Sequence, residues 1–394
     1  MNFKHSFLTI LCFAIVWASC EESGENPVDT DVLLNKIEAN ALAATRWQEE
    51  LEQIQTRYGT MWDRQLFEYN NRQMPTYTAV YGVKPADGRS LYISMHGGGN
   101  TTAAGNDEQW NNQKELYSPK EGVYIAPRAA VDDWNMWFRP VVDTLFEMII
   151  QTAIVKMEVN PNKVYIMGYS AGGDGAYRMA PRMADHWAAA AMMAGHPGNS
   201  SPLNLRNIGF TLWMGQNDSA YHRNTLAAAY GQRLDSLQNA DPDGYRHTTH
   251  IVPGVGHWMN SADTAAVEWM AQFRRNPYPG RIVWRQEESN PRRHFYYLSV
   301  PAGEAKAGME VRVDKIGNIL NILKNDYTTL YIHLNDKMMD LDKPVILLYG
   351  DEEIFNGMVQ RKAQHIDESV KERADPDYIF SAVLEIRNGR VRVL

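Results

Sequence analysis

The chain has 394 residues, of which 44% are apolar and 11% aromatic, enough for a substantial core and long enough for two folded units. A net charge of −8 and the lack of any lysine- or arginine-rich run exclude a basic nucleic-acid footprint. Cys12 and Cys20 are the only cysteines and both lie near the start, so neither a disulfide nor a cysteine metal site is expected in the mature chain.

Lys4 and His5 precede an apolar run from Phe7 to Trp17, and Ala18-Ser19-Cys20 follows. A charged start, a short apolar middle and small residues before a cut predict a secretory signal peptide over residues 1–19. The run is too short for a comfortable membrane span. Ala18-Ser19-Cys20 resembles the lipobox of bacterial lipoproteins, with Trp17 where an aliphatic residue is usual. That resemblance implies acylation of Cys20 and a membrane anchor, the alternative being plain cleavage and release. Residues 20–29, with Glu21, Glu22 and Glu25, read as an acidic tether. An acidic stretch after the cysteine resembles surface-export signals of some Gram-negative lipoproteins, so an outer-membrane or cell-surface location is expected.

A first folded unit is expected over residues 30–275. Asp29 or Thr30 can cap a helix running to about Tyr58, with Leu33, Leu34, Ile37, Leu42, Trp47 and Leu51 on its buried face. Thr76 to Val83 and Leu91 to Met95 read as strands, the second running into His96-Gly97-Gly98-Gly99-Asn100. A short helix begins near Asn106, and Gly122 to Pro127 is a further strand. The aromatic loop after it holds Trp134, Trp137 and Phe138, which suit either a substrate cleft or a core. Val142 to Glu158 has helical spacing, and Asn160-Pro161-Asn162 reads as a turn before the strand Val164 to Met167.

That strand runs into Gly168-Tyr169-Ser170-Ala171-Gly172 and then a helix-like segment. A serine on a strand-to-helix turn needs small neighbours, and the bend lifts its hydroxyl to the positive end of the helix. Ala188 to Ala194, Ile208 to Met214 and His247 to Val252 continue as strands, the last two ending near Asp218 and His257. Alternating strands and helices predict a doubly wound, mainly parallel sheet. Acyl transfer at neutral pH needs a nucleophile, a base and a carboxylate that orients the base. Ser170, His257 and Asp218 supply them, each just beyond a strand, and no metal or organic cofactor is needed. The N–H groups of Ala171 and of Gly98 or Gly99 are the expected oxyanion donors. Trp258 joins Trp134 and Trp137 as an expected cleft residue. His196, His222, His250, Asp174 and Asp263 are poorer candidates because of where they stand relative to the strands.

Residues 74–273 resemble the esterase branch of the α/β hydrolases that holds poly-hydroxyalkanoate depolymerases and the feruloyl and acetyl-xylan esterases. The resemblance rests on the Asn160 to Gly173 run, the His96 glycine loop, the Asp218 loop and Gly256-His257. It implies hydrolysis of a small-molecule or glycan ester through an acyl-enzyme. The alternatives are a serine peptidase of the prolyl-oligopeptidase type, for which no propeller-length segment precedes this unit, and a non-catalytic protein that keeps the fold. Asn276 to Gly280 reads as a linker. Behind it, residues 282–394 predict a small β-sandwich-like domain. Its strands are Arg293 to Val300, Met309 to Val313, Asn318 to Leu323, Thr329 to Leu334, Pro344 to Tyr349 and Phe380 to Ile386, and its helix is Ala363 to Arg373. Asp336, Asp340 and Asp342 lack the glycine and the spacing of a calcium loop, so no metal is assigned there.

Overall fold

The computed structural model describes residues 32–288 and 290–394. The expected signal peptide, Cys20 and the acidic tether lie outside the described residues. A short strand β1 (Leu33–Leu34) leads into helix α1 (Lys36–Asp63). There follow β2 (Leu66–Tyr69), β3 (Arg72–Tyr81), β4 (Arg89–Met95), α2 (Ala103–Leu116), β5 (Gly122–Pro127), α3 (Pro140–Met157) and β6 (Val159–Tyr169). After β6 come α4 (Ala171–Arg182), β7 (Ala189–Met193), β8 (Gly209–Gly215), α5 (Arg223–Ala240), β9 (His247–Val252) and α6 (Ala265–Met270).

Strands β2 to β9 form one eight-stranded sheet in the order β2-β3-β5-β4-β6-β7-β8-β9. Pairing is antiparallel at β2–β3 and β3–β5 and parallel from β5 onward. Parallel strands need both faces covered, and the sequence supplies apolar residues to both. Leu91, Ile93, Val123, Ile125, Val164 and Ile166 enter one core cluster, while Tyr92, Tyr124, Tyr165, Met167 and Ala191 enter the cluster on the other face. The turn expected at Asn160-Pro161-Asn162 lies instead within β6. Pairing with β4 jumps from Arg89 opposite Val159 to Leu91 opposite Val164, so the intervening residues bulge out and Pro161 owes no ladder hydrogen bond.

The second unit contains β10 (Arg281–Arg285), β11 (His294–Phe295), β12 (Leu298–Ser299), β13 (Glu310–Ile316), β14 (Ile319–Asn325), β15 (Thr329–Leu334) and β16 (Val345–Tyr349). It continues with β17 (Glu352–Gly357), β18 (Arg361–Lys362), α7 (Ala363–Arg373), β19 (Ala382–Arg387) and β20 (Arg390–Val393). Its strands make two five-stranded sheets, β10-β13-β14-β16-β17 and β11-β12-β15-β19-β20. Alternate residues Val311, Val313, Leu320 and Ile322 of the first sheet share a cluster with Leu330, Ile332, Leu384 and Ile386 of the second. The single strand expected from Arg293 to Val300 is broken into β11 and β12 by Tyr296, whose φ of 54° turns the chain.

The same apolar cluster reaches into the eight-stranded sheet, so the two units share a core. Helix α1 spans them, packing on α3 of the first and α7 of the second. It starts later than expected, capped by Asn35, whose Oδ1 accepts from the N–H of Ile37 (2.9 Å) and Glu38 (3.0 Å). Glu38 closes the capping box on the Asn35 N–H at 2.8 Å. The later start shifts the buried face. Leu33 and Ile37 are exposed, Ala39, Ile54 and Trp62 are buried, and Leu34, Leu42 and Trp47 pack against Ile366 and Val370. No helix among the described residues is long and apolar enough to cross a membrane.

The segment 276–280 is pinned rather than free. The hydroxyl of Tyr278 donates to the Asp377 carbonyl and accepts from Asn335 Nδ2 at 3.0 Å. Just before it, buried Arg275 makes a fork with Asp375, at 2.7 and 3.2 Å, and donates from Nε to Asn162 at 2.8 Å. Removing one member of a buried pair strands the other charge. Arg275→Met should therefore cost about 3–5 kcal/mol in urea unfolding, and Arg275→Met with Asp375→Leu should recover most of it. An equal loss in the double variant would contradict this reading of the seam.

Candidate active site

Ser170 sits between β6 and α4 with φ 56° and ψ −117°, a conformation that costs strain for any side chain. Its N–H is held by the Met193 carbonyl at 2.9 Å, and its carbonyl accepts the first helical bond, from Asp174 N–H at 3.0 Å. The bend is tight enough to leave no room beside it. A Cβ on Gly168 would stand 2.1 Å from the Gly172 carbonyl oxygen, and one on Gly172 would stand 2.1 Å from the Met95 oxygen. Those contacts are the physical reason for glycine on both sides of the serine. The first-turn N–H groups of α4, Ala171 among them, precede the first intrahelical bond and remain donors toward the space above the sheet.

Three loops at the C-terminal ends of β6, β8 and β9 bring Ser170, Asp218 and His257 together. His257 Nε2 lies 3.0 Å from Ser170 Oγ, and its Nδ1 lies 2.7 Å from Asp218 Oδ2. A buried carboxylate accepts Nδ1–H, which leaves Nε2 as the acceptor for the serine hydroxyl proton. Asp218 is buried, while the His257 side chain is 42% exposed and so reachable from solvent. Asp218 is fixed by its own backbone, whose N–H donates to Gly215 O (3.1 Å) and whose carbonyl accepts from Asn224 N–H (3.0 Å). The His257 carbonyl accepts from the Tyr169 hydroxyl at 2.6 Å. The residue beside the serine thus anchors the base loop.

The glycine loop after β4 lies against this bend. A Cβ on Gly97 would meet the Ser170 Cβ at 3.2 Å, and one on Gly99 would meet the Ala171 Cβ at 3.6 Å. Gly98 and Gly99 have φ of 98° and 77°, which only glycine adopts readily. One expectation needs correction here. The Gly99 N–H is already donated to Asn106 Oδ1 at 2.8 Å, so it is not free as an oxyanion donor. Gly98 and Ala171 remain. Buried Asn106 completes its bonds through Nδ2 to Asp132 at 2.8 Å, and Asp132 in turn accepts from Arg128 at 2.6 Å. Nothing in the local sequence pattern around Asn106 flagged this role.

His96 holds the loop from below. Its Nε2 accepts from Ala129 N–H at 3.0 Å, which places the proton on Nδ1, within 2.6 Å of Gly97 O. Burial holds this imidazole down at about 4, so it stays neutral and structural. Of the expected cleft aromatics, Trp134 and Trp258 are 61% and 51% exposed. Trp137 is not a cleft residue. It is fully buried, and its Nε1–H donates to the His96 carbonyl at 2.9 Å. Met136 and Phe138 are buried with it in the same core cluster, so the loop turns inward over these three residues while Trp134 stays outside.

The other candidates are engaged elsewhere. Asp174 accepts the His196 N–H at 2.6 Å, and burial pushes its carboxyl up to about 6. His250 stacks on Trp213 at 3.9 Å within the sheet, and Asp263 accepts from Tyr117 at 2.5 Å. Asp336 and Asp342 both pair with Arg361, at 2.7 and 2.8 Å. Among the described residues no three His, Cys, Asp or Glu side chains are grouped so as to hold a metal ion. A separate cavity of about 330 Å³ at the seam between the units is lined by Glu147, His186, Arg292 and Arg373. Two of its arginines are already paired, Arg292 with Asp143 and Glu147, and Arg373 with Asp185.

No known protein family and no curated protein matches the chain by sequence. Solved structures similar to it include a thermostable esterase, 18% identical with a TM-score of 0.41 over 53% of this chain and 62% of that one. The chain thus spans less than two thirds of that esterase. A ferulic acid esterase is 16% identical with a TM-score of 0.38, over 52% of this chain and 95% of its own. A feruloyl esterase module from Clostridium thermocellum, complexed with sinapinate, is 15% identical with a TM-score of 0.36, over 53% of this chain and 86% of its own. The mixed eight-stranded sheet and its strand order fit the α/β-hydrolase fold.

Two glycines near the site make a test of the bend. Gly172→Ala should lower the thermal midpoint sharply, because its methyl meets the β4 backbone, against the helix preference for alanine. Gly256→Ala, with nothing within 4 Å of its Cβ, should leave it nearly unchanged. Equal effects would contradict the packing described.

Proposed function

We propose that the chain is a serine hydrolase that cleaves a carboxylic ester through an acyl-enzyme. The observation that carries this reading is the unbroken relay from Asp218 through His257 to Ser170, at 2.7 and 3.0 Å. In this reading Ser170 Oγ attacks the ester carbonyl as its proton passes to His257 Nε2. The tetrahedral oxyanion is met by the N–H groups of Ala171 and Gly98. His257 then gives the proton to the leaving alcohol, and a water activated by the same imidazole releases the acid and restores Ser170.

The substrate in this proposal is an acylated glycan or a small ester. Exposed Trp134 and Trp258 offer flat apolar faces beside the serine, which suit a sugar ring or an aromatic acid. Export and anchoring through an acylated Cys20 belong to the same proposal, supported by the leader-like residues that precede it. The anchor would hold the enzyme at the membrane and leave the hydrolase facing its substrate.

The test is turnover of p-nitrophenyl esters of rising acyl length beside aminoacyl and dipeptidyl p-nitroanilides. Ester turnover should fall by about 10⁴-fold or more in Ser170→Ala while the melting temperature changes little. Turnover of anilides alone would move the protein to the peptidases, and ester turnover unchanged in Ser170→Ala would refute the nucleophile.

A further inference from the structure

The triad and oxyanion donors leave unused a group of cationic side chains on α4 and on the loops next to it. Asp174 and Arg178 follow Ser170 at one and two turns along α4 and face the loop 195–199 after β7. Asp174 accepts from the His196 N–H, and Arg178 Nη1 donates to Asn199 Oδ1 at 2.7 Å. The Arg178 guanidinium also lies over the Phe138 ring at 4.5 Å, and Phe138 stands edge-on to Trp134 at 5.4 Å. Trp134 in turn borders the glycine loop, its Cα 3.4 Å from where a Gly99 Cβ would sit. Arg178 is therefore tied into the rim that begins at the glycine loop.

The opposite side of that loop is also cationic. Arg223 stands over the Tyr221 ring at 4.9 Å, with Nη1 3.9 Å from Asp218 Oδ1. Its Nε is buried with no hydrogen-bond partner among the described residues. His196 is held beside Asp174 by its own N–H and accepts the Gly198 N–H on its ring at 3.0 Å. It is held below the usual imidazole range first by burial and then by the charges of Arg223, Arg178 and His222.

Acids also face these cations, with Asp174, Glu287 and Glu288 acting on Arg178 and Asp218 lying near Arg223. Asp174 is raised to about 6 and Asp218 is committed to His257. Glu287, the buried acid near Arg178, is pushed up to about 7 by burial. Among the described residues no carboxylate lies within ion-pair distance of Arg178, although the guanidinium is half-buried. A partly desolvated guanidinium with an amide and an aromatic face as its neighbours is a preformed receptor for a planar anion.

We propose that the rim formed by Arg178, Arg223 and His196 selects esters that carry a carboxylate near the scissile bond. The carboxylate can belong to the alcohol, as in an acylated acidic sugar, or to the acyl group, as in a half-ester of a diacid. Arg178 binds it through the guanidinium N–H groups not given to Asn199, of which Nη2 lies against the bare Cα of Gly198, while Trp134 packs on the apolar part of the substrate. This inference rests on the ester-hydrolase reading for turnover, but carboxylate binding tests it separately.

Two matched pairs distinguish the sources. 4-Acetoxybenzoate against its methyl ester places the charge on the alcohol side, and monophenyl adipate against methyl phenyl adipate places it on the acyl side. In one of the pairs kcat/KM should favour the acid about tenfold at low salt, with the preference shrinking as ionic strength rises. Arg178→Gln should bring that ratio near unity, and Arg178→Lys should restore part of it. Calorimetry on the Ser170→Ala protein should find 4-hydroxybenzoate or adipate bound more tightly than its methyl ester, and the difference lost when Arg178→Gln is added. Ratios within twofold of unity in both pairs, or a preference indifferent to Arg178, overturn the proposal while esters are still cleaved. Carboxylate binding that depends on Arg178, with no ester turned over, supports this proposal and sinks the hydrolase reading instead.

Discussion

The site depends on how closely three backbone segments approach one another at the end of the sheet. Gly168 and Gly172 have no side chains because the Gly172 and Met95 carbonyls occupy that space. With those glycines in place, Ser170 is forced to φ 56°, and the strain is held by the β7 carbonyl on one side and the start of α4 on the other. The same approach brings the His96 loop against the serine, so Ser170 and the glycine loop are placed by one packing event. Rigid strands then deliver Asp218 and His257 from neighbouring strand ends, an arrangement that keeps the relay preformed rather than assembled on binding.

Support for this arrangement comes from beyond the first unit. The C-terminal sheets continue the apolar core, α1 spans both units, and the Arg275–Asp375 fork is buried at their junction. Arg46 of α1 adds an ion pair with Asp367 of α7 at 2.7 Å. A second unit bound this way resembles a buttress more than a tethered module, and its strand β10 meets the first unit at Asn204, which bonds the Arg285 backbone and the Pro181 carbonyl of α4. The buried acid Glu287 follows directly on β10.

Much of the first unit was legible because parallel strands demand apolar runs that end at turns. Gly122–Pro127 and His247–Val252 coincide with their expected limits, and so do Thr329–Leu334 and Ala363–Arg373. The elbow is legible for a related reason, since only small residues fit around Ser170. Other features lacked a local signal. Asn106 takes the Gly99 N–H through a fold-level contact that no spacing announces. Trp137 and Trp134 are three residues apart and alike in chemistry, and only the path of the loop sends one into the core and the other to solvent. Strand β17 is polar and at a sheet edge, so its alternation is weak, and β20 is an edge strand of only four residues. The start of α1 was readable but missed, because Asn35 and Glu38 have the spacing of a capping box.

The most direct measurement of the central claim is covalent trapping of the folded protein by a fluorophosphonate, followed by peptide mass spectrometry. A serine activated by the relay should carry a single adduct, on the peptide that contains Ser170, and the labelling should be lost on heat denaturation before treatment. An unlabelled folded protein, or an adduct on a different residue, would contradict the account.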